Sequence, residues 1–331
     1  MKKLPLLICC FLTFILLTSC GNERAIIDEI MNSNGESDSS AVSSETGDTP
    51  TEPEAEPEPA FDTSLIGRTF ISGDYEYTVQ EDGTVFISSY SGETRELTLP
   101  TELDGYEVTG IGDAAFSGND ALERLIVPGE IKSIGAEAFF GCDNLSSITL
   151  EEGVESIGEE AFYVFDHVYE ELNIADSVYK IGQNAFTPDN EVEINGLCYV
   201  GNVVVGFGDS FDGHIVFKEN TTGIADNALD RRYVPSGGTD ASGHYLSITD
   251  DTVEFPDGLL YIGSEAFVDQ GPDYVIPASV IEIGASALFY TTRDFSVVPM
   301  DSDTSKIYGF AGSAAEQYAE MNGISFVTIT E

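Results

Sequence analysis

Cations are scarce in this chain: 13 Lys and Arg stand against 59 Asp and Glu over 331 residues, a formal charge of −46. That excludes nucleic acid as a partner, because binding to a phosphate backbone is carried by cations that displace its counterions. Surface carboxylates keep an exported chain soluble, and loose binding of divalent cations is compatible with them. Histidine is as sparse. His167, His214 and His244 are the only three; they are far apart without ligand spacing, so each is expected at the surface and no metal centre or cofactor is expected.

Long apolar runs are lacking too, apart from Leu4 to Leu17 behind Lys2 and Lys3. This run is too short and too poorly flanked for a lasting span, and residues 1–19 read as an export signal. Its end, Leu17-Thr18-Ser19-Cys20, matches the bacterial lipobox, in which small residues fit the peptidase and the Cys20 thiol accepts a diacylglycerol. The expectation is a bacterial protein lipid-anchored to the cell membrane and exposed outside the cytoplasm, with membrane contact through the lipid on Cys20. Cys9 and Cys10 leave with the signal. Residues 20–60 are poor in large apolar groups and end in "TPTEPEAEPEPA"; they cannot offset chain entropy by burial, and like charges with alternating Pro make them an extended tether. A helix at Ala25 to Met31 would be too short to hold alone.

What the chain has in abundance is one phrase. Ile111-Gly112 with Ala115-Phe116 recurs as Ile134-Gly135 with Ala138-Phe139, Ile157-Gly158 with Ala161-Phe162, and Ile181-Gly182 with Ala185-Phe186. Ile224-Ala225 with Ala228-Leu229, Ile262-Gly263 with Ala266-Phe267, and Ile283-Gly284 with Ala287-Leu288 follow. The spacings are 23, 23, 24, 43, 38 and 21. A period in the low twenties marks a solenoid, and the long gaps are enlarged or degraded repeats. Ile, Ala and Phe at positions 1, 5 and 6 fall on one side of a single helical turn, with Phe filling the interior and Ala admitting the next coil. Glycine at position 2 suits a bend or a close approach, although Ala225 replaces it once.

Before each phrase stands an alternating run: Leu125-x-Val127-Pro128, Ile148-x-Leu150, Leu172-x-Ile174, Val253-x-Phe255-Pro256 and Tyr274-x-Ile276-Pro277. Period two is a strand with one buried face. Proline closes it where a missing N–H costs nothing, and Ile131, Val154, Val178 or Val280 turns the chain inward again.

These residues resemble the BspA-type leucine-rich repeats, whose unit runs roughly L-x-x-I-x-I-P-x-x-V-x-x-I-G-x-x-A-F-x-G-C-x-x-L. Residues 122 to 164 follow it closely, and the resemblance extends over about 61 to 331, weakest between 187 and 260. It implies a leucine-rich-repeat solenoid of short parallel strands with helical or 3-10 corners. Residues 61–110 are expected as an N-terminal β cap, in which Tyr75, Tyr77 and Val79 pair with Val85 and Ile87 around Asp82-Gly83. Residues 111–300 are the repeats, enlarged at about 187–260. Residues 301–331 form a helix-strand cap: Ser313 and Glu316 make a capping box, Gly323 ends the helix, and Ile324 to Ile329 add a strand.

Catalytic chemistry finds little support in what decorates this frame. Gly208-Asp209-Ser210-Phe211 resembles the nucleophile block of GDSL-type ester hydrolases, but Ser210 would need a histidine base with an acidic orienter, and no D-x-x-H stands downstream. The structural reading is a hairpin-bearing repeat with a Gly-Asp-Ser turn, and the chain is expected not to be an enzyme. Asp301-x-Asp303-x-Ser305 opens like a calcium loop, yet Lys306 stands where glycine is required and Gly312 where the bidentate Glu belongs. Cys142 reads as a buried small hydrophobe, and Cys198, about two repeats away, is poorly placed to bridge to it.

Two functions remain beside the hydrolase: a non-catalytic binding or adhesion module for an extracellular protein or glycan, and a passive surface spacer. The strand register locates the binding face. With Leu125, Ile148, Leu172, Ile215, Val253 and Tyr274 inward, the outward column is Ile126, Thr149, Asn173, Val216, Glu254 and Val275, flanked by Arg124, Ser147, Glu171, His214, Thr252 and Asp273. The column repeats no single charge, unlike the rest of the chain. Ordinary exposed strand residues would look similar, and a loop from Ser236 to His244 offers a competing site.

Overall fold

The computed structural model of the protein describes residues 62–164, 168–187, 190–230, 248–268, 272–291, 297–298 and 305–330, a β-solenoid of about nine turns with mostly parallel strands. The segments expected as export signal and tether, with Cys20, and also His167, residues 236–244, Asp301 and Asp303 lie outside the described residues.

A full coil contributes a face strand and a corner strand. The face strands Glu96–Thr98, Arg124–Val127, Ser147–Leu150 and Glu171–Ile174 make one parallel sheet. The corner strands Tyr106–Ile111, Ser133–Ile134, Ser156–Ile157 and Lys180–Ile181 make another. Alternation sets the first: Leu125, Val127, Ile148 and Leu150 are buried, with half-exposed Ile126 and Thr149 between them. Proline ends the strand in a tight turn, for the Pro128 carbonyl accepts from Ile131 N–H at 3.1 Å, and Pro256 and Pro277 do the same for Leu259 and Val280.

The corner, expected as helical or 3-10, is a run of tight turns. The fourth residue of each phrase is left-handed: Ala114, Glu137, Glu160, Asn184, Asn227, Glu265 and Ser286 have φ between 51° and 59°. Alternate corner N–H groups reach the next coil, while those between them close tight turns, as Phe140 N does on Glu137 O at 3.0 Å. Glu137 N donates to Glu159 O at 2.8 Å, Phe139 N to Ala161 O at 2.7 Å and Gly141 N to Tyr163 O at 2.9 Å. Holding a non-glycine residue left-handed costs about 1–2 kcal/mol, offset at Ala114, Glu137, Glu160, Asn227 and Glu265 because the next coil presents an acceptor for an otherwise orphaned donor.

Inside, Phe116, Phe139, Phe162 and Phe186 stack at 4.7, 5.0 and 5.2 Å between ring centres. Ala138 and Ala161 are fully buried beside them. The glycine of the phrase answers a close approach: a Cβ on Gly158 would stand 2.5 Å from Ala136 N. At Ala225 the neighbouring element is the hairpin strand Val203–Phe207 instead of a corner, and the Ala225 N–H donates to Val204 O at 2.8 Å.

That hairpin fills the 43-residue gap. Val192–Ile194, Leu197–Val200 and Val203–Phe207 run antiparallel, and the last pairs in parallel with Gly223–Ile224, restarting the corner sheet through Tyr261–Ile262 and Glu282–Ile283. A second face sheet follows, Thr252–Glu254, Asp273–Val275, Lys306–Gly309 and Ser325–Thr328. At the start of the chain Tyr75–Val79 pairs with Val85–Tyr90 around Asp82-Gly83, with Thr69–Ser72 outside it. The helix Ala314–Asn322 is capped by Ser313, whose hydroxyl accepts from Glu316 N at 3.3 Å, and ends on left-handed Gly323. Glu316 itself accepts from Gly312 N at 2.6 Å.

Candidate binding face

Parallel pairing places Ile126, Thr149 and Asn173 on adjacent rungs, with Thr98 before them, about 4.8 Å apart. Ile126 and Thr149 are half exposed and Asn173 is exposed. Asn173 Nδ2 donates to Thr149 Oγ1 at 3.4 Å and to Glu171 Oε1 at 3.3 Å. Glu171 also accepts from Ser147 Oγ at 3.0 Å and lies 3.8 Å from the Arg124 guanidinium. Ser147 is therefore no open flank: it is only 6% exposed and serves to orient Glu171. Leu172 and Ile174, expected inward, are half buried because Glu171–Ile174 is the last strand of its sheet.

The expected six-rung column is not continuous. Thr252, Val253 and Glu254 pair with Asp273, Tyr274 and Val275 in the second face sheet, which continues to Tyr308 and Val327. Residues 214–217 form no strand. The Ile215 N–H that a neighbouring strand would take is held by Asp250 Oδ2 at 2.7 Å, and Asn195 Nδ2 donates to Val216 O at 3.4 Å. Val216 is 52% exposed in this irregular stretch, while the Phe217 ring packs 5.6 Å from Phe255. Asp273 turns its carboxylate to the backbone, accepting from Lys306 N at 2.8 Å.

Ser210 sits in the turn after the hairpin. Its hydroxyl donates to Glu193 Oε1, and the Ser210 and Asp209 N–H groups donate to the same carboxylate at 2.9 and 3.0 Å. These bonds, the Ser210 hydroxyl first, hold Glu193 below its usual pKa. His214, four residues on, bonds through Nδ1 to Asp250 Oδ1 at 2.8 Å, which raises its pKa. An orienting acid thus does exist, missed because it follows the histidine instead of preceding it, but the serine proton is committed to Glu193 and no triad is drawn together.

Cys142 and Cys198 are both free thiols. Burial pushes Cys142 up to about 11, and its Sγ–H donates to Phe116 O; burial followed by Glu191 pushes Cys198 up to about 12. Among the described residues no group of three or more His, Cys, Asp or Glu is gathered to hold a metal. No sequence signal marks a cavity of about 180 Å³ bordered by Gln183, Phe186, Phe207, Asp226 and Asn227, which arises from the inserted hairpin. Among the described residues no helix is long and apolar enough to cross a membrane.

Residues 93–198 match the model of the BspA type leucine rich repeat region in six copies. No curated protein matches the chain. Among solved structures, a leucine rich repeat protein of T. pallidum is 17% identical, with 78% of this chain and 97% of that chain covered and a TM-score of 0.34. A leucine rich cell surface protein of Faecalibacterium prausnitzii is 18% identical, covering 72% and 78% with a TM-score of 0.30. The pneumococcal vaccine antigen PcpA is 14% identical, covering 80% and 100% with a TM-score of 0.27. Within residues 93–198 the period and the matched residues agree with a BspA-type leucine-rich repeat region.

Proposed function

We infer that this protein is a non-catalytic binding module, held outside the bacterial cytoplasm by a lipid on Cys20 and presenting the sheet of residues 96–174 to an extracellular protein or glycan. Repeat regions of this type are typical of surface and binding proteins. The observation that carries the reading is the outward column Thr98, Ile126, Thr149 and Asn173: four uncharged side chains on successive rungs in a chain of net charge −46. Such a stripe lets a partner approach without the repulsion the remaining surface would impose.

A glycan and matrix-protein screen with the soluble domain supplies the ligand. The double variant Thr149→Lys, Asn173→Lys should then bind it at least tenfold more weakly while keeping its circular dichroism spectrum, because neither side chain is core. Equal affinity, together with loss of binding from changes in the loop Ser236 to His244, would move the platform to that loop. For the anchor, labelled fatty acid should enter the wild type and not Cys20→Ser; equal labelling would refute it.

A further inference from the structure

The strand Glu171–Ile174 pairs with Ser147–Leu150 on one side, and among the described residues no strand pairs with it on the other. Hydrogen-bond alternation shows which groups are left open. Ser147 N donates to Glu123 O, Glu151 N to Val127 O, and Glu171 N to Ser146 O, so the backbone of Glu171 and Asn173 points at the neighbouring strand. The N–H and C=O groups of Leu172 and Ile174 therefore point to the open side. Such a row is a template for an added strand.

Beside this edge runs a groove of about 440 Å³ lined by Leu172, Ile174, Val192, Tyr199 and Gly201 among others. Its walls are about half apolar, from Leu172, Ile174, Val192 and Tyr199, and half polar, with Asn173 and Asn190 among them; Val192 is 60% exposed. Its rim is acidic: Glu151, Glu171, Asp176 and Glu191 each adjoin a lining residue in sequence. Lys218 also reaches the groove, but its ammonium is occupied by Gly201 O and lies 4.7 Å over the Tyr199 ring. A second copy of the chain would bring the same acidic rim to this edge, and the chain's own tether, "TPTEPEAEPEPA", is acidic and lacks N–H groups at its prolines.

We propose that the open edge of Glu171–Ile174 binds an extended peptide that alternates apolar and basic residues, as a strand added to the sheet. Backbone bonds to Leu172 and Ile174 hold it, apolar side chains enter the groove, and Lys or Arg meets the rim. The proposal rests on the reading of the protein as a binding module and adds the chemistry of one partner.

The test uses the full-length protein and a fluorescent capped hexapeptide, Lys-Val-Lys-Val-Thr-Val, with two companions: one carrying Glu for Lys, one N-methylated at alternate residues. The parent should bind. Loss of two backbone bonds should weaken the methylated peptide about thirtyfold, and the Glu peptide should not bind. Amide exchange should slow at Leu172 and Ile174 on binding and change little at Glu171 and Asn173. No binding of the parent, equal binding of the methylated peptide, or protection of Leu172 and Ile174 that grows with protein concentration without peptide would each overturn the proposal. Should Thr149→Lys, Asn173→Lys lose a screened ligand while the parent peptide never binds, the sheet-face reading stands and this one falls.

Discussion

Gly158→Ala probes the stacking of the coils most sharply. The added Cβ would lie 2.5 Å from Ala136 N, 2.6 Å from Gly135 C and 2.8 Å from Ala136 Cα, where ordinary contact begins at 3.4 Å. The neighbours are backbone, so no side chain can swing away. The coils would have to part by about 0.9 Å against bonds that tie them on both sides of the glycine, Gly158 N to Ile134 O and Glu137 N to Glu159 O, each 2.8 Å. Overpacking costs about 1–3 kcal/mol, and a backbone-to-backbone clash belongs at the upper end, about 3 kcal/mol. Urea unfolding followed by circular dichroism measures it. The control is Glu160→Gly in the same turn, where φ is 52°: glycine relieves the left-handed strain and should leave stability unchanged or raise it by about 1 kcal/mol. A loss below about 0.5 kcal/mol for Gly158→Ala, within the range of ordinary surface changes, would refute the close-approach account of the repeated glycine.

Phe139→Ala should cost about 3–5 kcal/mol in the same assay, because the ring is fully buried between Phe116 and Phe162. Ser210→Ala should leave hydrolysis of a simple ester and the melting curve nearly unchanged; a large loss of turnover would restore the hydrolase reading. His214 titrates above its ordinary 6.5 because Asp250 bonds and attracts its charged form. The folded value exceeds the unfolded one, so the pair's stabilisation is full below about pH 6.5 and is lost as pH rises through the folded value. Asp250→Asn should shift the His214 midpoint, read by NMR, down toward 6.5; an unmoved midpoint would show that Asp250 is not the cause.

The coil was legible because every turn of a solenoid solves one packing problem with the same side chains, so Phe116, Phe139, Phe162 and Phe186 repeat with the period of the stack. The register of Arg124–Val127, Ser147–Leu150 and Glu171–Ile174 was legible from alternation alone. The corner conformation was not: its left-handed residues are Ala, Glu, Asn and Ser instead of Gly, and what holds most of them is a bond to the next coil, twenty or more residues away in sequence. Ile215-x-Phe217 carries the alternation of a strand without being one, because Asp250 and Asn195 take its backbone groups. The pairing of His214 with Asp250 spans residues 231–247, across which no local pattern could point.

Repetition builds the frame, and the working surface we propose is the uncharged stripe of the first face sheet. Amide hydrogen exchange with and without a ligand from the binding screen tests it in one experiment. Slowed exchange should concentrate in residues 96–98, 124–127, 147–150 and 171–174. Protection confined to residues 203–214 or 236–244, with those four strands unchanged, would contradict it.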